Sequence, residues 1–346
     1  MDEDELIKTA RAMVANNKGL LAMDESNPTC NKRFAALQIP QTPEMRRRYR
    51  EMIVTTSGLN EGINGAILCD ETVRQNLSDG TPFVQAVKNV GIIPGIKVDM
   101  GTKDMAGFPN EKVTSGLDGL RERLLEYKEM GLRFAKWRAV IAIGDGIPTR
   151  RCIENNAIVL ARYAALCQEV GLVPIVEPEV LMEGNHDLKT CLSVTQSVLH
   201  IVFGQLHKQR VLTEGMILKP NMVLPGSMCK DQSTTDEIAE ATIRCLMRTV
   251  PASVPGVAFL SGGQTSQLAT ERLNAMNAHY KSEMPWAVAF SFSRALQYPS
   301  LEHWNGKEEN IGKAQKALYH RAKCNQAACS GSYTKEMENP DYFHVQ

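Results

Sequence analysis

Short apolar runs recur along the chain, and most of them carry a charged, hydroxyl or glycine residue at or near their ends. They occupy residues 19–25 (GLLAMDE), 64–70 (NGAILCD), 93–100 (IPGIKVDM), 134–141 (FAKWRAVI), 172–180 (LVPIVEPEV), 215–223 (GMILKPNMV), 256–263 (GVAFLSGG) and 286–293 (WAVAFSFS). Amphipathic stretches lie between them. Residues 116–131 place Leu117, Leu120, Leu124 and Tyr127 on one helical face and stop at a glycine. Residues 234–251 start with a Thr/Asp cap and stop at proline, and residues 153–171 form a third such pattern.

Strand and helix in alternation predict βαβ units and parallel strands. Eight units spaced by roughly 30–45 residues fit an α/β fold of the (β/α)8 TIM-barrel type, with room for additions at both ends. A doubly wound open sheet is the alternative, but it expects a glycine-rich GxGxxG turn after its first strand, and MDESNPTC has none. The expected organisation is a single domain over 1–346, with an N-terminal helix within 1–18, a C-terminal helix, and a mobile polar tail over 325–346.

Strand residues at i and i+2 share a face. Lys97/Asp99, Lys136/Arg138 and Glu177/Glu179 form charged pairs at that spacing, each near the end of its strand. The first strand ends in Asp24, the sixth in Lys219, the seventh in Ser261-Gly262-Gly263, and the eighth in Ser291-Phe292-Ser293-Arg294. A barrel gathers all these ends at one mouth, the face on which such folds build active sites. A single pair is readily a salt bridge on the barrel rim. So many strands contributing at one end point to a site.

Composition narrows the chemistry. The 346 residues are 43% hydrophobic and carry 39 basic and 39 acidic side chains, which argues against a nucleic-acid partner. The one basic run, 46–50 (RRRYR), follows the helix-start signal Thr42-Pro43-Glu44 and reads as a solvated helix face. Nine scattered cysteines without a CxxC suggest free thiols. The acidic start MDEDELIKTA is unlike a signal peptide, and no apolar stretch is long enough to span a bilayer, so a cytoplasmic setting is expected. The seven histidines show neither HxH nor HExxH spacing and read as surface residues, so no metal and no cofactor is expected.

Lysines, carboxylates and hydroxyls must then carry the reaction. An amine held in a dry barrel beside a second cation such as Lys136 is pressed toward its neutral form, which adds to carbonyl carbon to give an imine. Lys219 follows three apolar residues and has the fewest charged neighbours in sequence, whereas Lys136 stands near Arg138 and Lys97 near Asp99. Lys219 is therefore the favoured nucleophile, against a lysine merely paired with a carboxylate. Of Glu177 and Glu179, one can shuttle protons while the other holds a lysine ammonium. Asp24 can accept a hydroxyl proton. The Ser261-Gly262-Gly263 turn suits a phosphate at a helix start, with Arg294 adding a bidentate contact. Lys97, Ser26 and Thr29 can hold a second anion across the mouth, so a sugar bisphosphate fits.

The stretches GLLAMDES, GIKVDMG, FAKWRAVI, VEPEVL, EGNHDLK, ILKPNMVLPG, GVAFLSGGQ and PWAVAFSFSRALQ resemble the class I, Schiff-base fructose-1,6-bisphosphate aldolases, in order from about residue 19 to 297. The resemblance implies reversible cleavage of fructose 1,6-bisphosphate into dihydroxyacetone phosphate and glyceraldehyde 3-phosphate, in glycolysis and gluconeogenesis, by a metal-free homotetramer. It makes Lys219 the imine-forming lysine, Glu177 the shuttle for carbinolamine dehydration, Glu179 a neighbour tuning the lysines, and Asp24 the acceptor of the C4 hydroxyl proton. Lys136 becomes the electrostatic partner of the imine and Arg138 a substrate ligand. Ser261, Gly262, Ser291 and Arg294 would serve the ketone-side phosphate, and Ser26, Thr29 and Lys97 the aldehyde-side one.

Two positions depart from the pattern. Ser293 stands where the family has glycine, which bears on one backbone phosphate contact. The chain ends Tyr342-Phe343-His344-Val345-Gln346 rather than in a tyrosine, which leaves the enamine-protonating group open between Tyr342, Glu177 and a water. Other lysine-imine barrels, of the transaldolase or dehydratase kind, would not require two phosphate regions. A barrel serving mainly as a binding scaffold would be free to lose Lys219.

Overall fold

The computed structural model describes residues 2–344. Its centre is a closed barrel of parallel strands: β1 (Gly19–Ala22), β2 (Ile63–Leu68), β3 (Ile93–Lys97), β4 (Phe134–Ile141), β5 (Val173–Val180), β6 (Ile217–Leu218), β7 (Gly256–Phe259) and β8 (Ala287–Phe292). Each strand pairs with its successor, and β8 closes on β1 through Leu20↔Ser291 and Leu21↔Phe292. All eight expected strands are present, and the fold is the expected (β/α)8 barrel. A short antiparallel hairpin, Thr102–Asp104 with Lys112–Thr114, follows β3.

Close packing near the strand starts depends on missing side chains. A Cβ on Gly95 would stand 2.2 Å from the Phe134 ring, and one on Gly19 would stand 2.5 Å from Phe290. These two phenylalanines are fully buried, and the neighbouring strands yield them space. The N-terminal helix Glu3–Met13, capped by Asp2, lies across the same end. Its Glu5 pairs with Arg133 at the start of β4, and the following Val14 packs against Gly256 at the start of β7. With that end closed, the opposite end is the open mouth.

The three helical patterns are realised as Leu120–Glu129, Arg150–Glu169 and Thr235–Thr249, the last with a full capping box between Thr234 and Glu237. The boundary expected near Asn325 lies later. The C-terminal helix runs Ile311–Ser330, with Asn325 fully buried and accepting a 2.7 Å hydrogen bond from Thr270. It ends at Gly331, whose φ of 77° is left-handed. Residues Lys335–Glu338 then turn back onto the helix, where Glu338 pairs with Arg321 at 2.6 Å. Val345 and Gln346 lie outside the described residues.

The basic run at 46–50 is not a solvated face. Within the helix Pro43–Val54, Arg46, Tyr49, Arg50 and Ile53 fall on one stripe, and all are buried. Arg46 grips Glu71 through two 2.7 Å hydrogen bonds. Arg50 reaches Glu25 at 2.5 Å, and Arg33 reaches the other Glu25 oxygen at 2.5 Å. Only Arg47 and Arg48 pair near the surface, with Glu44, Glu51 and Glu308. Burial alone would raise the Glu25 carboxyl, but Arg50 and Arg33 hold it well below the usual range. Its contribution to stability is therefore complete above the ordinary carboxylate range and is lost only as strong acid protonates it.

Removing one partner from such a buried pair leaves an uncompensated charge. Arg50→Ala should cost about 3–5 kcal/mol of unfolding free energy in denaturant titrations at neutral pH. A loss below about 1 kcal/mol would show that the pair contributes no more than a surface bridge does.

Candidate active site

The charged pairs of β4 and β5 set a gradient of depth. Arg138 pairs in register with Glu177, and Val140 with Glu179, so the alternate residues Lys136, Arg138, Glu177 and Glu179 line the interior. A step of two residues climbs about 6–7 Å toward the mouth. Lys136 and Glu177 have side chains only 4% exposed and form the lower, deeper layer, whereas the Arg138 side chain, one such step above Lys136 and level with Glu177 in the register, is 40% exposed.

The lower layer joins four strands. Lys136 Nζ lies 2.9 Å from Asp24 Oδ2, just beyond β1, and 2.9 Å from Glu177 Oε2 on β5. The Asp24 contact is a well-aligned hydrogen bond, while the Glu177 contact is an ion pair at an angle unsuited to one. Lys219, just beyond β6, places Nζ 3.2 Å from the other Glu177 oxygen. Its own N–H continues the ladder to Val176 O at 2.8 Å, and Pro220 then ends the strand. Glu177 thus bridges both lysines.

The charges in this layer are mutually determined. Burial opposes the charge on Lys136, but Asp24 and then Glu177 hold it well above the usual lysine range. Burial alone would raise the Asp24 carboxyl, yet Lys136 and Lys219 hold it below its usual value. Asp24 is accordingly an ionised base at neutral pH, and Lys136 a fixed cation. Glu179, expected beside a lysine, instead holds Arg138 at 2.5 Å.

On one side of the mouth, Lys97 reaches the Asp99 carboxylate at 2.6 Å and its carbonyl at 2.7 Å. The exposed Ser26 and Thr29 hydroxyls bond to one another at 3.0 Å. On the other side, Gly262 and Gly263 both adopt left-handed φ, 56° and 84°. A Cβ on Gly263 would stand 3.2 Å from the Arg294 guanidinium and 3.3 Å from Met182 Sδ. Arg294 is exposed, Ser261 is buried, and the hydroxyl of the fully buried Ser291 has no hydrogen-bond partner among the described residues. Tyr342 sits in the turn Tyr342–His344 against Phe343, whose ring packs edge-on to His320 of the C-terminal helix.

Two histidines depart from the surface reading: His186, in the loop after β5, and His320 are buried. No group of His, Cys, Asp or Glu among the described residues is arranged to hold a metal ion. All nine cysteines are free thiols. No helix among the described residues is long and apolar enough to cross a membrane. The residue that sequence reasoning missed is Glu25. Alternation sends it outward while Asp24 points inward, so it needed partners in the helical layer, and the Arg46–Arg50 run was the signal.

Comparisons with known proteins agree with this geometry. A model of the class-I fructose-bisphosphate aldolase family matches residues 5–344. A probable fructose-bisphosphate aldolase class 1 of Xanthomonas campestris pv. campestris is 52% identical over 96% of this chain and 99% of its own. The cytosolic fructose-bisphosphate aldolase 6 of Arabidopsis thaliana is 50% identical over 95% of this chain and 92% of its own. The aldolase of Plasmodium falciparum, solved with TRAP and a small-molecule inhibitor, is 47% identical and superposes with a TM-score of 0.94, over 96% of this chain and 95% of that one. A barrel with a buried lysine–carboxylate layer at its mouth, matched along nearly its whole length by these relatives, places the chain in the class I fructose-bisphosphate aldolase family.

Proposed function

We propose that this metal-independent lyase cleaves fructose 1,6-bisphosphate through an imine on Lys219. The observation that carries the assignment is the unequal environment of the two buried lysines. Lys136 is held as an ammonium by two carboxylates, whereas Lys219, among the described residues, is paired only with one oxygen of the shared Glu177. Transfer of a proton from Lys219 to Glu177 frees an amine lone pair without leaving an isolated charge.

The amine adds to the substrate ketone, and Glu177 returns its proton to the departing hydroxyl as the carbinolamine becomes a protonated imine. Asp24, ionised and 2.9 Å from the Lys136 ammonium, accepts the C4 hydroxyl proton. The C3–C4 bond then breaks, and its electron pair passes into the iminium to give an enamine. Protonation of the enamine carbon and hydrolysis of the imine release dihydroxyacetone phosphate. Lys136 keeps the Asp24 side of the site charged throughout, and Arg138, oriented by Glu179, contacts the sugar hydroxyls.

The two phosphates lie at opposite sides of the mouth. Ser261, Gly262, Ser291 and Arg294 take the ketone-side phosphate, supported by the left-handed glycine turn beneath the Arg294 guanidinium and by the unpartnered Ser291 hydroxyl. Lys97, Ser26 and Thr29 take the aldehyde-side phosphate. The cytosolic plant relative supports a cytoplasmic setting. Assembly as a homotetramer follows from the family resemblance, and light scattering should give a tetrameric mass rather than that of one chain.

Lys219→Met should abolish measurable cleavage, while Glu177→Gln should lower kcat about 10²–10⁴-fold through loss of a positioned acid and base. Both effects are read by coupled assay of the triose phosphates, and EDTA should leave the parent rate unchanged. Retained turnover in Lys219→Met, or loss in EDTA reversed by a divalent metal, would contradict the assignment.

A further inference from the structure

Ser293 stands between β8 and the helix Arg294–Trp304, in the N-cap position. A serine there ordinarily turns its hydroxyl back to accept from the second or third N–H of its own helix. Here it makes no such bond. Its hydroxyl donates instead to Glu25 Oε1 at 2.7 Å and accepts from Arg33 Nη2 at 3.1 Å. The Glu25 carboxylate is itself fixed by Arg50, by Arg33, and by Gln297 at 3.0 Å. Gln297 is locked in turn by Tyr49 and by the carbonyl of Ala22 on β1.

Two consequences meet at this residue. Glu25 follows Asp24 directly, and Ser293 precedes Arg294 directly, so one buried carboxylate ties the proton-accepting strand end to the phosphate-binding one. With the serine turned away, no side chain among the described residues caps the Arg294 helix: the Leu296 N–H bonds to the Ser293 carbonyl at 3.1 Å, and the Arg294 and Ala295 N–H groups stay available, while Ser291 nearby in the chain has a spare hydroxyl.

We propose that Ser293 is a positioning residue for the ketone-side phosphate: drawn to Glu25 rather than capping its own helix, it keeps the helix start open and holds Arg294 in register with Asp24. The proposal rests on the assignment of Ser261, Gly262, Ser291 and Arg294 to that phosphate. Without the hydroxyl, the turn before Arg294 loses its tether to Glu25, and binding of the phosphorylated ketone weakens. The aldehyde-side phosphate, across the mouth, is not affected.

The test is steady-state kinetics in the condensation direction for the parent, Ser293→Ala, Ser293→Gly and Arg294→Ala, with thermal melting of each. Loss of one hydrogen bond to a charged network should raise KM for dihydroxyacetone phosphate about threefold to tenfold in both Ser293 variants. KM for glyceraldehyde 3-phosphate and kcat should stay near the parent values, and Arg294→Ala should raise the same KM further. A lower melting temperature with unchanged KM would make Ser293 a purely structural residue and overturn the proposal. An effect in Ser293→Gly alone would assign it to backbone freedom and overturn it equally. An unchanged KM in Arg294→Ala would remove the phosphate assignment itself, and the proposal with it. A raised KM in Arg294→Ala alone would remove only the role of Ser293.

Discussion

The structure depends on keeping the Lys136 ammonium charged where water is scarce. Its side chain is 4% exposed, and an isolated ammonium would not persist there. The charge is sustained by carboxylates on two other strand ends, Asp24 after β1 and Glu177 on β5. β1 and β4 are not neighbours in the sheet, so only closure of the barrel can bring Asp24 to Lys136. The pairing is thus a product of the fold and a condition of the chemistry, because it leaves Glu177 with one oxygen facing Lys219.

Behind that layer lies a second one, between barrel and helices. Successive residues of a strand face opposite ways, so Asp24 serves the interior while Glu25 meets Arg50 and Arg33 outside it. Buried ion pairs of this kind are weak sources of net stability, but they are costly to break and specific in geometry. Here they define where the end of β1 stands relative to the end of β8. The candidate site is accordingly built with its charged layer inside the barrel and the alignment of that layer held from outside it.

The strands and the gathering of most candidate site residues at one barrel end were legible in the amino-acid sequence because period-two alternation and charged strand ends are local signals. Lys136/Arg138 and Glu177/Glu179 needed only the rule that i and i+2 share a face. The partners were less legible. Nothing local shows that Glu179 holds Arg138 rather than a lysine, since that depends on the β4–β5 register. The 46–50 run looked solvated because its acidic partners, Glu25 and Glu71, are distant in the chain, although Arg46, Tyr49 and Arg50 do fall on one helical stripe. The polar composition of the tail likewise hid a helix that runs to Ser330 and keeps buried residues as far as Cys329, with Asn325 paired to Thr270 rather than wet.

The central claim is that the layer divides its lysines, one kept as a cation and the other made a nucleophile. Borohydride reduction in the presence of dihydroxyacetone phosphate, followed by peptide mass mapping, examines that division directly. The account predicts a three-carbon phosphate adduct on Lys219 and none on Lys136. An adduct on Lys136, with Lys219 unmodified, would contradict it.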